Sequence, residues 1–226
     1  MRSSKRLPSR STPSPDGTLF LTTNSTGPPD MTRTASAARD TKETKIEISI
    51  DLDGEGRTEI DTGLPFFDHM LDQIGRHGGF DLTVKAVGDL EIDSHHTVED
   101  TGILLGKVFG EALGDKAGVR RFASISVPLD EAAVAVVLDL SGRPFLVYEI
   151  DPPGERILGN PPFDPQLMEE FWRAFTGSAG ITLHLTMLRG KNTHHVMEAC
   201  AKGVARALRE AVRIDGGGVP STKGVL

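Results

Sequence analysis

Two short histidine-rich stretches contain the residue types from which metal centres are built. In the first, Ser94-His95-His96-Thr-Val-Glu99 runs directly into apolar residues at helical spacing, with Ser94 at the N-cap position. His95 and Glu99 would then lie one turn apart on one helix face, with His96 beside them. The spacing therefore predicts a patch of imidazole nitrogens and a carboxylate at the start of a helix.

The same pattern returns as His194-His195-Val-Met-Glu198, with Asn192 ahead of it, and each candidate ligand lies 99 positions after its counterpart. One His-His pair is more often a surface or core accident than a ligand, but two pairs in register at helix starts favour a metal site. Imidazole and carboxylate groups suit manganese, iron, cobalt, nickel or zinc. Two matching half-sites predict two ions.

Composition indicates a globular protein that does not bind nucleic acid. The 226 residues are 38% hydrophobic, which suffices for one domain of ordinary size or two small ones. The net charge of −7 opposes binding to a phosphate backbone, and one Trp with one Tyr leaves little for base stacking. Cys200 is the only cysteine, which excludes an intramolecular disulfide and leaves metal binding to N and O ligands. Because no apolar run approaches the roughly 20 residues that span a bilayer, we expect a soluble, cytoplasmic protein.

Residues 1–39 differ in composition from the rest of the chain. They are rich in Ser, Thr, Pro and Arg, with six Lys or Arg against two acids and no apolar period. This composition predicts a tail without fixed structure. It also resembles an organellar transit peptide, although a convincing amphipathic helix is missing. An over-extended start, with Met31 as the initiator, is the interpretation we favour.

From residue 40 onward, the apolar periodicity predicts two copies of one α+β unit. The first, residues 40–120, is predicted to contain a hairpin that turns at 53–56, a helix from 65 to 79, a strand at 80–92 and the His95 helix. The second, residues 121–214, repeats this order with strands near 123–127 and 132–140, a helix near 164–175, a strand at 181–187 and the His194 helix. The expected fold class is α+β, two tandem β-β-α-β-α repeats each forming a sheet with helices on one face, followed by a tail at 215–226.

The repeat also points to ligands outside the two histidine pairs. His69 lies in the middle of a predicted helix, 26 positions before His95, and Glu170 lies 24 positions before His194 in the matching helix. Taken alone, His69 would be a packed core histidine, but beside two half-sites a ligand role is equally favoured. Glu170 would place a carboxylate where the first unit uses an imidazole. His184 has no counterpart, and we expect it to be a core or supporting residue rather than a ligand.

Several other polar residues carry weaker signals. Asp130 and Glu131 enter an apolar strand, where a solvated turn is the ordinary interpretation. The hydroxyl, lysine and flexible backbone at the C-terminus would suit an oxyanion, although short tails of this composition are often disordered. Isolated cations that could equally be surface charge are Arg121, Arg143, Lys202 and Lys223.

Taken together, the motifs resemble the imidazoleglycerol-phosphate dehydratase family of histidine biosynthesis. The resemblance extends from Thr41 to the C-terminus. The matching stretches are Thr-Lys-Glu43-Thr, Phe-Phe-Asp-His69-Met-Leu-Asp-Gln73-Ile, Asp-Ser-His95-His96-Thr-Val-Glu99-Asp, Val-Arg-Arg121-Phe, Val-Pro-Leu-Asp130-Glu131-Ala, Asp-Leu-Ser-Gly-Arg143-Pro, the His194-His195-x-x-Glu198 helix and Pro-Ser221-Thr-Lys223-Gly.

This resemblance implies a fold, an assembly and a reaction. The fold is two ribosomal protein S5 domain 2-like units, and the assembly is a large homo-oligomer, a 24-mer in the family, with active sites between subunits. The reaction is loss of water from D-erythro-imidazole glycerol phosphate to give imidazole acetol phosphate, with two Mn(II) ions per active site. No nucleic acid or membrane partner is implied.

The resemblance also implies a role for individual residues. The metal ligands would be His69, His95, His96, Glu99, Glu170, His194, His195 and Glu198, although many members carry His at the Glu170 position. The substrate contacts would be Glu43, Gln73, Arg121, Arg143, Lys202, Ser221 and Lys223. The residues with catalytic roles would be Glu43, which moves the substrate proton, together with His95, Glu99 and Glu198.

Two other functions fit the same residues. A dinuclear metallohydrolase would use the ions to generate a bound hydroxide and would release phosphate or cleave an amide. A structural oligomer would use His and Glu only to clamp subunits together, without a pocket beside the metal.

Overall fold

The described part of the protein contains nine strands and four helices. The computed structural model describes residues 18–21, 32–154 and 157–224. In chain order the elements are β1 (Thr18–Leu21), β2 (Thr34–Asp40), β3 (Thr44–Asp51), β4 (Thr58–Asp61), α1 (Pro65–Gly78), β5 (Asp81–Gly88), α2 (His95–Leu113), β6 (Phe122–Leu129), β7 (Ala132–Asp139), β8 (Phe145–Glu149), α3 (Leu167–Ala179), β9 (Thr182–Arg189) and α4 (Thr193–Ala211). None of the helices in these ranges is long and apolar enough to cross a membrane.

The two halves of the chain share one sheet topology. Strand order is β2-β3-β5-β4 in the first sheet, with β1 added beside β2, and β6-β7-β9-β8 in the second. In both sheets the first three strands pair antiparallel and the last pair is parallel. In the chain, β4 is followed by a helix, the strand β5 and a second helix, and β8 is followed by the same order with the strand β9. The predicted α+β class with two tandem units is confirmed.

The first unit contains two strands more than the sequence pattern predicted, β1 and β2, and the second unit contains one more, β8. The predicted hairpin that turns at 53–56 is wrong, because β5 lies between β3 and β4 in the sheet and pairs with both. The prediction that residues 1–39 lack fixed structure is wrong for β1, which pairs with β2, and for β2, which pairs along its whole length with β3. Only Ala37 of this strand is buried, so hydrogen bonds to β3 rather than an apolar period define it. β8 was missed as well, because it is short and its order depends on pairing with β9. Residues 1–17 and 22–31 of the predicted tail, with Met31, lie outside the described residues.

The strands form where apolar residues alternate. In β3, Ile46, Ile48 and Ile50 point into the core and are at most 4% exposed, whereas the residues between them face outward. Val134 and Val136 of β7 are fully buried in the same way. Alternation of this kind makes one face of each sheet apolar, and that face must be covered. The helices provide the cover.

Helices from opposite units pack against each other. α2 lies on β2, β3 and β5 of its own sheet, and its other side packs against α3 of the second unit. α4 lies on β6 and β7, and packs against α1 of the first unit. The helices therefore form a layer shared by the two units, and the largest buried side chains, including Trp172, lie in it. Because each helix packs against a helix of the other unit, residues that are far apart in the sequence come into contact at the helix ends.

Glycines allow the close approach of α2 and α3. A Cβ atom at Gly106 would lie 2.5 Å from the carbonyl oxygen of Phe175 and 2.8 Å from the Cβ of Ser178. One turn earlier, a Cβ at Gly102 would lie 2.7 Å from the carbonyl oxygen of Phe171. Backbone atoms cannot move aside as a flexible side chain can. These two glycines are therefore required by packing, despite the cost of glycine within a helix.

We expect Gly106→Ala to destabilise the protein. Overpacking against the α3 backbone costs about 1–3 kcal/mol, which exceeds the gain of about 1 kcal/mol from replacing a helical glycine. Gly110→Ala is the matched control, because a Cβ there would lie 3.8 Å from the nearest atom of α3, at ordinary contact distance. Denaturant unfolding at one protein concentration should show a lower free energy of unfolding for the first variant and an equal or higher one for the second. Stabilisation by both would contradict the packing argument.

Candidate metal centre

One imidazole of each unit converges on a shared carboxylate. Nε2 of His69, from α1, lies 3.2 Å from Oε2 of Glu198, and Nε2 of His194 lies 3.0 Å from the same oxygen. All three potential ligand atoms lie within 4.8 Å of one another. Two imidazole nitrogens and a carboxylate oxygen in one place have the chemistry of a divalent transition-metal site.

The helix ends position these three side chains. His194 and Glu198 are one turn apart at the start of α4, where the side chain of Asn192 accepts a hydrogen bond from the backbone N–H of His195. The packing of α1 on α4 then brings His69 to them. The two imidazoles are 40% and 42% exposed, while Glu198 is only 13% exposed. His69 is therefore a half-exposed member of the cluster and not a packed core histidine.

Surrounding groups hold Glu198 ionised. Nζ of Lys202 lies 2.6 Å from Oε1, so Oε2 remains for the imidazoles. Burial raises the pKa of Glu198, but hydrogen bonds from Lys202, His69 and His194 outweigh burial and lower the pKa to about 2. Gln73 supports His69, with its side-chain nitrogen 3.3 Å from Nδ1 and 3.2 Å from the backbone oxygen of that residue. An ionised carboxylate beside oriented imidazoles is the form that binds a cation.

The corresponding residues of the first unit are arranged more openly. His95 and Glu99 lie one turn apart on α2, with Nε2 3.7 Å from Oε2. Ser94 occupies the N-cap position but makes no side-chain cap; Asp93 instead accepts a hydrogen bond from the backbone N–H of His95 at 2.7 Å. Glu170 lies on α3, which packs on α2, and its carboxylate is 3.8 Å from Nε of Arg173. Within the described residues these side chains do not form a group of three converging ligand atoms, and their metal roles stay predictions.

The second histidine of each pair is held by a nearby acid. Nδ1 of His96 lies 3.0 Å from Asp89, and Nδ1 of His195 lies 2.7 Å from Glu131. The Asp89 contact raises the pKa of His96, and the Glu131 contact raises the pKa of His195. Hydrogen bonds from His195 and from the backbone of residues 191 and 192 lower the pKa of Glu131 to about 2. Neither His96 nor His195 belongs to the cluster around Glu198.

Sequence reasoning missed Asp89 and interpreted Glu131 as part of a solvated turn. Asp89 is 15% exposed and follows β5 directly, and its position between a strand and a histidine helix was the available signal. Residues 130 and 131 do form an exposed turn, but the Glu131 carboxylate also accepts hydrogen bonds from the backbone N–H groups of residues 191 and 192 at 3.0 and 2.8 Å. The expectation of a core position is wrong for His184, because its side chain is exposed on β9.

Glu43 lies in the turn between β2 and β3. Its Oε2 is 4.0 Å from Nδ1 of His96, and the side chain is 55% exposed. At 4.0 Å this contact is an ion-pair distance rather than a hydrogen bond. The carboxylate is thus close to the histidine pair of α2 but free to contact another molecule.

Two predicted substrate-binding arginines lie beside one carboxylate, that of Asp139, close in space to the C-terminal segment. Arg121 contacts both oxygens of Asp139, at 2.7 and 3.1 Å, and donates a hydrogen bond to the backbone oxygen of Pro220 at 2.8 Å. Nη2 of Arg143 lies 4.0 Å from Asp139. A further cation, Lys116, is buried nearby, and its pKa is lowered by burial. Sequence gave no signal for Lys116, since its burial arises from tertiary packing.

The terminal segment that contains Ser221 and Lys223 follows Pro220. The backbone N–H of Lys223 donates to the Ser221 hydroxyl at 3.2 Å, and residues 225–226 lie outside the described part. Arg121 therefore links this segment to the body of the second unit. The substrate roles of these residues stay predictions.

Comparison with known proteins agrees with this architecture. The family model described as imidazoleglycerol-phosphate dehydratase matches residues 62–208. Proteins of that name from Acidothermus cellulolyticus and Methanopyrus kandleri are 53% and 52% identical, over 88% and 86% of this chain and 95% and 96% of their own lengths.

Two solved structures support the same assignment. The imidazoleglycerol-phosphate dehydratase structure from Staphylococcus aureus is 38% identical, with a TM-score of 0.68 over 74% of this chain and 93% of that one. The structure from Pyrococcus furiosus is 35% identical, with a TM-score of 0.73 over 84% and 99%. The order of strands and helices, the histidine pairs and the sequence identity lead to one conclusion: this chain belongs to the imidazoleglycerol-phosphate dehydratase family.

Proposed function

We propose that the protein is a hydro-lyase of histidine biosynthesis that converts imidazole glycerol phosphate to imidazole acetol phosphate and water. The main support is the convergence of His69, His194 and Glu198 in a chain of the dehydratase family. This donor set fits Mn(II), which accepts imidazole and carboxylate ligands together. We propose two such ions per active site, held by these residues and by the matching set around His95, His96, Glu99, Glu170 and His195.

The reaction is difficult because hydroxide is a poor leaving group and the neighbouring C–H is a weak acid. Bound manganese would supply Lewis acidity that stabilises the imidazole ring of the substrate as an electron-rich anion, whose electrons help to expel the hydroxyl group. The C–H proton and the hydroxyl leave as water, and the enol product becomes the ketone. Glu43 is our candidate for moving the proton, because its carboxylate lies beside His96 and is half exposed.

Cations would anchor the phosphate end of the substrate. Arg121 and Arg143 meet at Asp139, and Arg121 also holds the terminal segment that carries Ser221 and Lys223. Guanidinium groups, an ammonium and a hydroxyl together suit a phosphate. Binding energy at this remote end would orient the ring and the hydroxyl group for reaction. Lys202 and Gln73, which contact Glu198 and His69, would serve the ring end.

We also propose a large homo-oligomer with active sites between subunits. The outer face of the second sheet carries three large apolar side chains, Phe122, Val137 and Phe145, which are 56%, 50% and 61% exposed. The register of β6, β7, β8 and β9 places them on one side of the sheet, together with His184. A contiguous exposed apolar face favours association. The half-exposed imidazoles of the cluster also leave room for groups from another subunit.

The reaction is tested with the purified full chain, Mn(II) and imidazole glycerol phosphate. We expect formation of a ketone without release of inorganic phosphate, and loss of activity after treatment with a chelator. Release of phosphate without ketone would support a metallohydrolase instead. Retention of metal with neither activity would support a structural metal site.

Glu43→Gln should keep substrate binding and lose turnover. Removal of a general acid/base lowers kcat by about 10²-fold or more, whereas an amide of the same shape preserves the binding surface. Steady-state kinetics and substrate titration measure the two effects separately. Glu47→Gln is the matched control, since this residue is exposed on the following strand. A near-normal kcat for Glu43→Gln would exclude the proposed role.

Replacement of a ligand in either half-site should reduce metal binding. We expect His194→Ala and His95→Ala each to bind fewer Mn(II) ions per chain than the wild type, because each removes an imidazole donor. Elemental analysis after dialysis measures the ion content. Glu47→Gln, the exposed control on β3, should retain the wild-type content. Unchanged content in His194→Ala would reject its assignment as a ligand.

A further inference from the structure

Two glutamates occupy the same position in the two units. Glu43 immediately precedes β3, and Glu131 immediately precedes the corresponding strand β7. Each faces the second histidine of its own unit: Glu43 is 4.0 Å from Nδ1 of His96, and Glu131 is 2.7 Å from Nδ1 of His195. The two equivalent glutamates therefore differ in their distance to the equivalent histidines, and only Glu131 is within hydrogen-bond distance.

In the second unit, the glutamate is fully used as a support. Oε1 of Glu131 accepts two backbone N–H groups, from Lys191 and Asn192, and Oε2 faces His195. A carboxylate held in this way fixes the orientation of the ring. With Nδ1 as the donor to Glu131, Nε2 of His195 is the nitrogen left to bind a metal ion.

In the first unit, an aspartate provides this support. Nδ1 of His96 lies 3.0 and 3.2 Å from the two carboxylate oxygens of Asp89, which is 15% exposed. The backbone N–H of Asp89 donates to the backbone oxygen of Glu43 at 3.1 Å, so the two loops are joined. Asp89 thus occupies the position at Nδ1 that Glu131 occupies in the other unit.

The second unit has no room for such an aspartate. Asp89 directly follows β5, and the residue that directly follows the equivalent strand β9 is Gly190. A Cβ at Gly190 would lie 2.4 Å from Cγ2 of Val196 and 3.2 Å from the Cβ of Ala132. The two units therefore support their second histidine from different loops: the loop after β5 in the first unit and the turn before β7 in the second. The packing around Gly190 excludes an aspartate at the position equivalent to Asp89.

We propose that Asp89 is a positioning residue that holds His96 with Nε2 available for metal, and that this role releases Glu43 for proton transfer. Glu131 has the supporting role in the second unit and is not available for chemistry. The inference rests on the proposed function for the identity of the metal and of the reaction. It goes beyond that function because it assigns Asp89 a role and explains why only one of two equivalent glutamates acts on the substrate.

The first test measures binding of Mn(II) alone to the full chain by competition with a chelator. Outer carboxylates that hold a ligating histidine contribute about 10–100-fold to metal affinity, so we expect a loss of this size in Asp89→Ala and in Glu131→Ala. Asp89→Asn should lose less, because its amide oxygen still accepts the Nδ1 proton. Glu43→Ala should keep the wild-type affinity. Glu91→Ala, an exposed acid two residues from Asp89, is the matched control.

The second test compares how activity responds to excess Mn(II). High Mn(II) should restore much of the activity of Asp89→Ala, whose defect is in metal retention, and should not restore Glu43→Gln, whose defect is in chemistry. Circular dichroism and thermal unfolding of each variant control for misfolding. Unchanged Mn(II) affinity in Asp89→Ala, or a loss in Glu43→Ala equal to that in Asp89→Ala, would overturn the inference.

The two proposals fail separately. Metal affinity is measured without substrate. If the variants differ in affinity as expected but the wild-type protein forms no ketone, the proposed reaction is rejected and the positioning role stands. Conversely, ketone formation by a wild-type enzyme whose Asp89→Ala variant binds Mn(II) normally would reject only the positioning role.

Discussion

The candidate metal centre depends on the exchange of helix partners between the two units. Among the residues that the structure describes, neither unit alone brings three candidate ligand atoms together, since His69 belongs to the first unit and His194 with Glu198 to the second. The packing of α1 on α4 closes this gap. The equivalent packing of α2 on α3 is so close that Gly102 and Gly106 cannot carry a side chain without displacing backbone atoms. Helix packing therefore determines where the candidate ligands lie.

Duplication explains both the symmetry of the molecule and its departures from symmetry. The two sheets have the same strand order, and the two histidine helices start in register. The surrounding loops have diverged. The first unit has Asp89 after β5, whereas the second has Gly190 after β9, and the equivalent glutamates Glu43 and Glu131 have different partners. This divergence would allow the two proposed cation sites to coexist with the single acid/base residue that we propose, as an asymmetric substrate would require.

Acidic and basic side chains are paired in both proposed binding regions, although the chain as a whole carries a net negative charge. The carboxylate of Glu198, a candidate metal ligand, is kept ionised by hydrogen bonds from Lys202 and from two imidazoles. Asp139 holds Arg121 and lies near Arg143, which keeps two guanidinium groups together although they repel each other. An acidic centre suited to cations and a basic region suited to a phosphate match the two ends of the proposed substrate.

The sequence by itself determined the residues that are close along a helix or repeated along the chain. A spacing of four residues places His194 and Glu198 on one face wherever the helix lies, and the offset of 99 positions reveals the duplication. Only the tertiary structure decided what depends on distant pairing: the extra strands β1, β2 and β8, the meeting of His69 with Glu198, and the contact of Asp89 with His96. Local spacing is a property of the backbone geometry of one element, whereas these contacts arise from packing between elements that no periodicity in the sequence encodes.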